Sequence, residues 1–528
     1  MSKPGRSLTR FMAVFAGGTL ISRLLGLARD IVIADTIPFV SREVFLFAFR
    51  FPNMLRDMLG EGAVNAAYVP LFSRTRETEG DDAFRRVARA CFGATLLLFA
   101  LLTLAGVLLV PFIPAALRLL QPFTGTAMPG DDHLGLALAV TPWLMPYFFL
   151  IGAGVFAMGP LFVMQRYSTA SWSPALLNVA LIAACLLASD YFPDPVWALV
   201  AGVWLGGIAQ AAVLLVAMKR HAGFGLPSLE LRHPGVRKAM LLLVPIVLGQ
   251  ATGEVNKVVD AFFAFKLEAV SYLYYANRLV QLPLSVFGLA VAVAILPSIS
   301  AAGAREDYGE IRATLAHGFR QSAFLVMPAL AGLLILREPI MQLLFAHEGG
   351  AFSPEEARHA ANALFYLAWG LLFFSWVKVG VQGFYAVHNT ATPVIVASLS
   401  MGLNIALNLA LVGPMGYQGL ALATTISYAA NATGLYLLLC RRYGNLLTPD
   451  FARGLIKILL ASTAMGCAVF LTHNATANAW PATAHGAELA RVLIPVLAGL
   501  LTYPAACRLL RSEDLALIGR LTRRARKR

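Results

Sequence analysis

Apolar runs of about twenty residues recur along the chain, and they leave it few ways to fold. A helix that crosses a bilayer needs roughly 20 mostly apolar residues, and lipid offers backbone groups no hydrogen-bond partner outside a helix or a closed barrel. Such runs fall near 11–38, 44–73, 89–111, 134–165, 171–189, 196–218, 239–265, 272–301, 313–336, 359–387, 393–413, 416–439, 454–472 and 489–507. The chain is predicted to be an all-α polytopic membrane protein with about fourteen transmembrane helices. Composition agrees: 58% of the 528 residues are hydrophobic and only 13% are charged, too few charges to clothe a soluble protein of this size. The longest loops, near 112–133, 219–238 and 337–358, are too short for a soluble catalytic domain. The five cysteines are scattered, so neither a disulfide framework nor a metal site is expected.

The charges that remain are distributed by side. With a cytoplasmic N-terminus, 29 of the 42 Lys and Arg residues fall in or beside inside loops, 6 fall outside and 7 lie within spans. That asymmetry follows the positive-inside rule and places both termini in the cytoplasm. It also explains the net charge of +14 without nucleic acid, for which no binding is expected. The basic tail Arg520 to Arg528 reads as an anchor on anionic membrane lipid.

A repeat emerges when the seventh and eighth segments are laid on the first and second. LARDIVIADT around Asp30 answers KVVDAFFAFK around Asp260. FAFRFP with Arg50 answers YYANRLV with Arg278, and VPLFS at Pro70 answers LPSIS at Pro297, at offsets of 227 to 230 residues. FVMQRYSTASWSP echoes FYAVHNTATP in the same way. Six spans separate the copies, so both run in one direction through the bilayer, as in transporters built from parallel repeats. The expected organisation is an N-lobe over 1–220, a C-lobe over 221–441, an added helix pair over 442–510 and a cytoplasmic tail over 511–528.

Thirteen charges lie inside the predicted spans: Arg23, Arg29, Asp30, Asp35, Arg50, Arg56, Asp57, Glu61, Glu254, Lys257, Asp260, Arg278 and Lys378. Each costs about 2.5–3.5 kcal/mol at mid-bilayer on insertion scales, so each must face a cavity or a partner. All but Lys378 belong to the repeated segment pairs, and that concentration is the strongest functional signal. Buried ion pairing or snorkelling is the plainer reading for Asp35, Asp260, Lys257 and Arg50. Asp30 is expected to pair with Arg29 or to hold a helix terminus. Arg29, Arg56 and Arg278 are better read as ligands, because a guanidinium suits two-pronged contact with phosphate. Glu254 with Asn404, Asn408 and Thr424 is a weaker candidate cation site, against ordinary hydrogen bonding between helices. No phosphate-binding loop, nucleophile grouping or metal-ligand spacing is present, so no enzyme activity, cofactor or metal is expected.

At these residues the chain resembles the MurJ/MviN lipid II flippases of the multidrug/oligosaccharidyl-lipid/polysaccharide exporter superfamily. The similar stretches are SRLLGLARD (Ser22–Asp30), FAFRFPNMLRDMLGEGA (Phe47–Ala63) with VPLFS after it, and YYANRLVQLPLSVFGLAVAVAILPS (Tyr274–Ser298). The resemblance implies a flippase moving an undecaprenyl-diphosphate-linked disaccharide-pentapeptide across the bacterial inner membrane by alternating access. It implies a monomer, with cell-wall synthesis proteins as further partners. It marks Arg23, Arg29, Arg56, Glu61 and Arg278 as substrate-binding, with Glu43 in place of a family Asp. Asp57 stands where the family commonly has a second Arg, and Asn277 where it has Asp; with Asp30, these are pairing or gating positions. The rivals are an ion-coupled multidrug exporter or a polysaccharide-unit flippase of the same superfamily, and, more remotely, a membrane-embedded glycosyltransferase or phosphatase.

Overall fold

The structure is a computed structural model, and it describes residues 21–59, 63–480 and 486–515. Those residues are almost wholly helical, with no strand among them. Ten helical stretches are long and apolar enough to cross a membrane. Among the described residues no such stretch covers the first, second, seventh or twelfth predicted segment, and residues 1–20, with most of the first segment, lie outside the described residues.

The chain divides by internal contacts into two compact units. Unit 1 holds residues up to Val270 together with Glu348–Phe352; unit 2 holds the rest. Unit 1 contains α1 (21–36), α2 (Phe39–Leu59), α3 (Ala63–Glu79), α4 (Asp81–Leu109), α5 (Ile113–Thr124), α6 (Asp131–Leu144), α7 (Pro146–Val163), α8 (Ser168–Ala188), α9 (Val196–Ala222) and α10 (Pro234–Lys266). By contacts α10 packs on α2, α3, α4 and α5. Aromatic rings fasten it there: Phe47 stacks on Phe265 with ring centres 4.1 Å apart and meets Phe262 edge-on. The predicted loop near 112–133 is partly helical, since α5 occupies most of its first half.

Close packing of α8 on α9 rests on small residues. Lipid gives helices no hydrophobic drive toward one another, so they associate through tight van der Waals contact, and glycine permits it. Gly202 and Gly206 lie one turn apart on α9, and a Cβ added at Gly206 would come within 2.8 Å of Leu177 Cα. Gly206→Val is therefore expected to wedge the pair apart, costing about 1–3 kcal/mol as overpacking does. A thermal melt of the purified protein, lowered by several degrees, would register it.

Unit 2 contains α11 (Val270–Pro283, from its second residue), α12 (Leu289–Ala304), α13 (Tyr308–Phe345), α14 (Pro354–Tyr385), α15 (Ala391–Met415), α16 (Tyr417–Tyr443), α17 (Pro449–Ala479) and α18 (Ala487–Leu509). Its core has two parts. Ile295, Ile299, Leu315, Phe319, Val379 and Leu435 bring α12, α13, α14 and α16 together. Phe324, Ile458, Met465 and Tyr503 seat α17 and α18 on α13, where the Tyr503 hydroxyl donates to the Phe324 carbonyl at 2.7 Å.

Between α11 and α12 the backbone widens into a π-helical turn over Leu284–Gly288, directly after Pro283. Proline lacks the N–H that would continue regular bonding, and a π turn takes up the resulting slack. Gly288 closes the turn against α14; a Cβ there would lie 3.0 Å from the Ser375 hydroxyl.

Several helices end in the left-handed conformation without glycine: Gln165, Glu268, Glu306, His388 and Arg511 all have φ between 50° and 58°. In each case the next N–H reaches back five residues, as from Arg166 to the Leu161 carbonyl at 2.8 Å and from Asn389 to the Phe384 carbonyl at 3.1 Å. This is the reverse bonding that terminates a helix sharply. Gln165 and His388 lie in the two stretches whose sequences echo each other, so both echoes turn in the same way.

Candidate functional site

In unit 1 the site is built on α1, α2, α8 and α9. Arg29 sits on α1 with all three guanidinium nitrogens bonded. Nε and Nη2 donate to Asp30 Oδ1 at 3.0 and 2.6 Å, and Nη1 donates to Asn178 Oδ1 at 3.1 Å. Asp30 is 1% exposed and Arg29 14%, so the pair is held away from solvent. Asn178, on α8, passes the connection on: its Nδ2 donates to the Ser22 carbonyl at 3.1 Å. One amide thus fixes both the arginine fork and the start of the described part of α1.

Arg56 lies on α2, where Nε and Nη2 donate to Asp57 Oδ1 at 3.2 and 2.9 Å. Both side chains are partly open, at 25% and 38% exposure, so this contact gives way more readily than the Arg29 pair. Arg56 lines a small cavity of about 20 Å³ with Pro174 and Leu177 of α8 and the buried Gln210 of α9. That volume holds about one water molecule. Leu177 adjoins Asn178, so the two arginines address the same turn of α8 from different helices.

Other expected residues are placed differently. Arg23 is exposed on α1. Glu43 is fully buried on α2, and its Oε2 accepts from the Val270 backbone N–H at 2.8 Å. Glu61 lies outside the described residues. Arg278 and Asn277 are half-buried on α11 in unit 2. Near them the start of α11 is held by rings: Tyr272 stacks on His359 at 5.0 Å, Tyr275 packs on Phe345 at 4.6 Å, and His359 Nδ1 shares a 2.8 Å hydrogen bond with the Tyr417 hydroxyl. Of the weaker cation-site candidates, Glu254 pairs with Lys257 one turn along α10, and Asn408 donates to Asn404 at 3.1 Å on α15. Asn256 donates to Asp260 at 3.3 Å.

Three residues at or near these charges escaped the sequence reading. Asn178 and Gln210 each sit in a run with no charge, where a lone amide is the signal that something must be bonded. Arg42, in the short gap between the first two predicted segments, is completely buried on α2. Its Nη1 donates to the Ile37 carbonyl at 2.8 Å and the Ala34 carbonyl at 3.3 Å, and its guanidinium lies 4.7 Å from the Phe352 ring centre. The neighbouring Ala351 N–H donates to the Asp35 carbonyl at 2.7 Å, which ties residues 348–352 to the α1–α2 turn.

An all-helical polytopic membrane protein that keeps arginines among its helices is the class this fold and site define. A family model described as lipid II flippase MurJ matches residues 40–488. The probable lipid II flippase MurJ of Vibrio cholerae is 33% identical over 425 residues, covering 79% of this chain and 80% of that one. A solved structure titled lipid II flippase MurJ, inward closed conformation, superposes with a TM-score of 0.75 at 24% identity, covering 94% of this chain and 99% of that one. A multidrug resistance transporter of the MATE family, inward-facing, shares the fold with a TM-score of 0.65 at 15% identity, covering 82% of this chain and 98% of its own. The chain belongs to the MurJ family of lipid II flippases.

Proposed function

We propose that this chain is a flippase for lipid II, carrying the undecaprenyl-diphosphate-linked disaccharide-pentapeptide across the bacterial cytoplasmic membrane. Family membership over most of its length supports the reading. The observation that carries it is the arrangement beside α8: one arginine locked by Asp30 and Asn178, a second paired with a half-open Asp57. A diphosphate brings at least two negative charges into a medium where unpaired charge is prohibitive. Arg56 can exchange Asp57 for a phosphate oxygen, while Arg29 stays fixed in place. Arg278 supplies a third guanidinium from the second copy of the repeat, with Arg23, Glu43 and Glu61 completing the set that the resemblance marks. An organic-cation exporter would gain nothing from three arginines, which repel its cargo.

Transport proceeds by alternating access between an N-lobe and a C-lobe, with no chemical step and no cofactor. The protein works as a monomer alongside cell-wall synthesis proteins. Fourteen spans place both termini in the cytoplasm. Reporter fusions at Arg118, Arg337 and Asn478 are expected to report outside, and those at Glu79, Gly225 and Asn445 inside. A consistent inversion after any one segment overturns the count.

The function itself is tested in cells depleted of their own lipid II flippase, where this chain is expected to restore growth. The purified protein should bind a polyprenyl diphosphate in preference to a lipophilic cation. The opposite preference, with no rescue, would transfer the chain to the exporters.

A further inference from the structure

Unit 2 contains a cavity of about 280 Å³ where the first turns of α13 face the connection from α16 to α17. Arg312, His317 and Arg320 line it from α13, all within reach of one helix face. Across from them Thr448 caps α17, its hydroxyl accepting from the Phe451 N–H at 3.2 Å, while Leu446 and Phe451 supply an apolar floor. A helix start carries partial positive charge, which favours an anion in front of it.

The charged residues are not equivalent. Arg320 is committed to structure, donating to the buried Asp514 at 2.8 Å. Asp450, on the opposite wall, is drawn to Arg453 at 3.1 Å. Arg312 is exposed, lies beside Gly444, and has no carboxylate within ion-pair distance among the described residues. The cavity therefore keeps one uncompensated guanidinium. Around it the protein exposes Leu447, Ile456, Leu459 and Leu460, apolar surface that a soluble anion would not use.

We propose that this cavity seats the phosphate headgroup of an anionic membrane phospholipid, with Arg312 as its principal ligand and acyl chains along the exposed apolar surface of α17. Basic pockets at the inner ends of transmembrane helices suit such headgroups. The loop charges place this end of α13 on the inner side. The volume lies near the lower limit for ligand pockets, enough for a glycerophosphate and too little for a disaccharide-pentapeptide. The site is therefore separate from the cargo, and its occupant is a resident lipid.

Native mass spectrometry of the full-length protein, titrated with phosphatidylglycerol and with phosphatidylcholine, tests this. The wild type should retain phosphatidylglycerol preferentially. Arg312→Ala should lower that retention about fivefold, and Arg312→Glu at least as far, with phosphatidylcholine retention and polyprenyl-diphosphate binding unchanged. Unchanged phosphatidylglycerol retention in both variants would overturn the proposal. So would an equal loss of the two lipids, or displacement of the lipid by millimolar inorganic phosphate. A fall in polyprenyl-diphosphate binding would instead make the cavity part of the cargo path and refute a separate lipid site.

Discussion

Replacing Arg29, Arg56 or Arg278 singly by Ala is expected to abolish rescue of flippase-depleted cells while leaving the protein inserted. The loss should be complete, because each guanidinium offers paired donors that no neighbour replaces and that never deprotonate. The lysine variants should then separate the arginines by environment. Arg29 uses Nε, Nη1 and Nη2 on two different partners, and an ammonium on a flexible stem cannot reproduce that fork. Arg29→Lys should therefore rescue poorly. Arg56 directs both Nε and Nη2 at Asp57 Oδ1 from a half-open position, so Arg56→Lys should retain more growth. Asn178→Leu, which preserves bulk and removes the amide, should weaken polyprenyl-diphosphate binding in the manner of Arg29→Lys. Wild-type binding by Asn178→Leu would show that Asp30 alone orients the arginine.

The second large effect is expected at Arg42, a residue that touches no proposed cargo. Its side chain is wholly enclosed and donates to two carbonyls near the turn between α1 and α2. Hydrogen bonds from charged groups contribute about 1.5–3 kcal/mol each, and the contact with the Phe352 ring adds roughly 0.5–2 kcal/mol. Arg42→Ala should lower protein abundance in the membrane and depress the thermal midpoint by more than Gly206→Val does. Arg42→Lys should recover part of the loss through one retained donor. A variant as abundant and as stable as the wild type would mean that the buried carbonyls find other donors.

Much of the architecture was legible because hydropathy is a one-dimensional property. Among the described residues each predicted segment falls on a helix or on consecutive helices: 89–111 largely on α4, 454–472 on α17, 134–165 on α6 and α7. Breaks inside a run were harder to read. The interruption at Met145 between α6 and α7 and the π turn after Pro283 leave no dip in apolarity, since proline changes backbone bonding without changing polarity. The pairing of Arg29 with Asp30 could be anticipated from adjacency. Its bond to Asn178 could not, because 149 residues separate the two and an amide barely registers in a count of charges. The burial of Arg42 could not be anticipated either, because a charge in a short gap between apolar runs gives no sign that the turn folds over it.

The π-helical turn at Leu284–Gly288 makes chain length itself part of the design. An α-helix advances about 100° per residue, and the widened turn takes in one residue more than regular pitch allows. Deleting Val286 would let the helix close to regular pitch and leave Asn277 and Arg278 facing nearly as before, because the widened turn already absorbs that residue; inserting a further residue there would swing them by about a quarter turn relative to α12. Every side chain in α11 would keep its identity, yet the arginine would point elsewhere. Along this stretch a one-codon insertion should be less tolerable than several substitutions, so the phase of the helix is constrained as tightly as its chemistry.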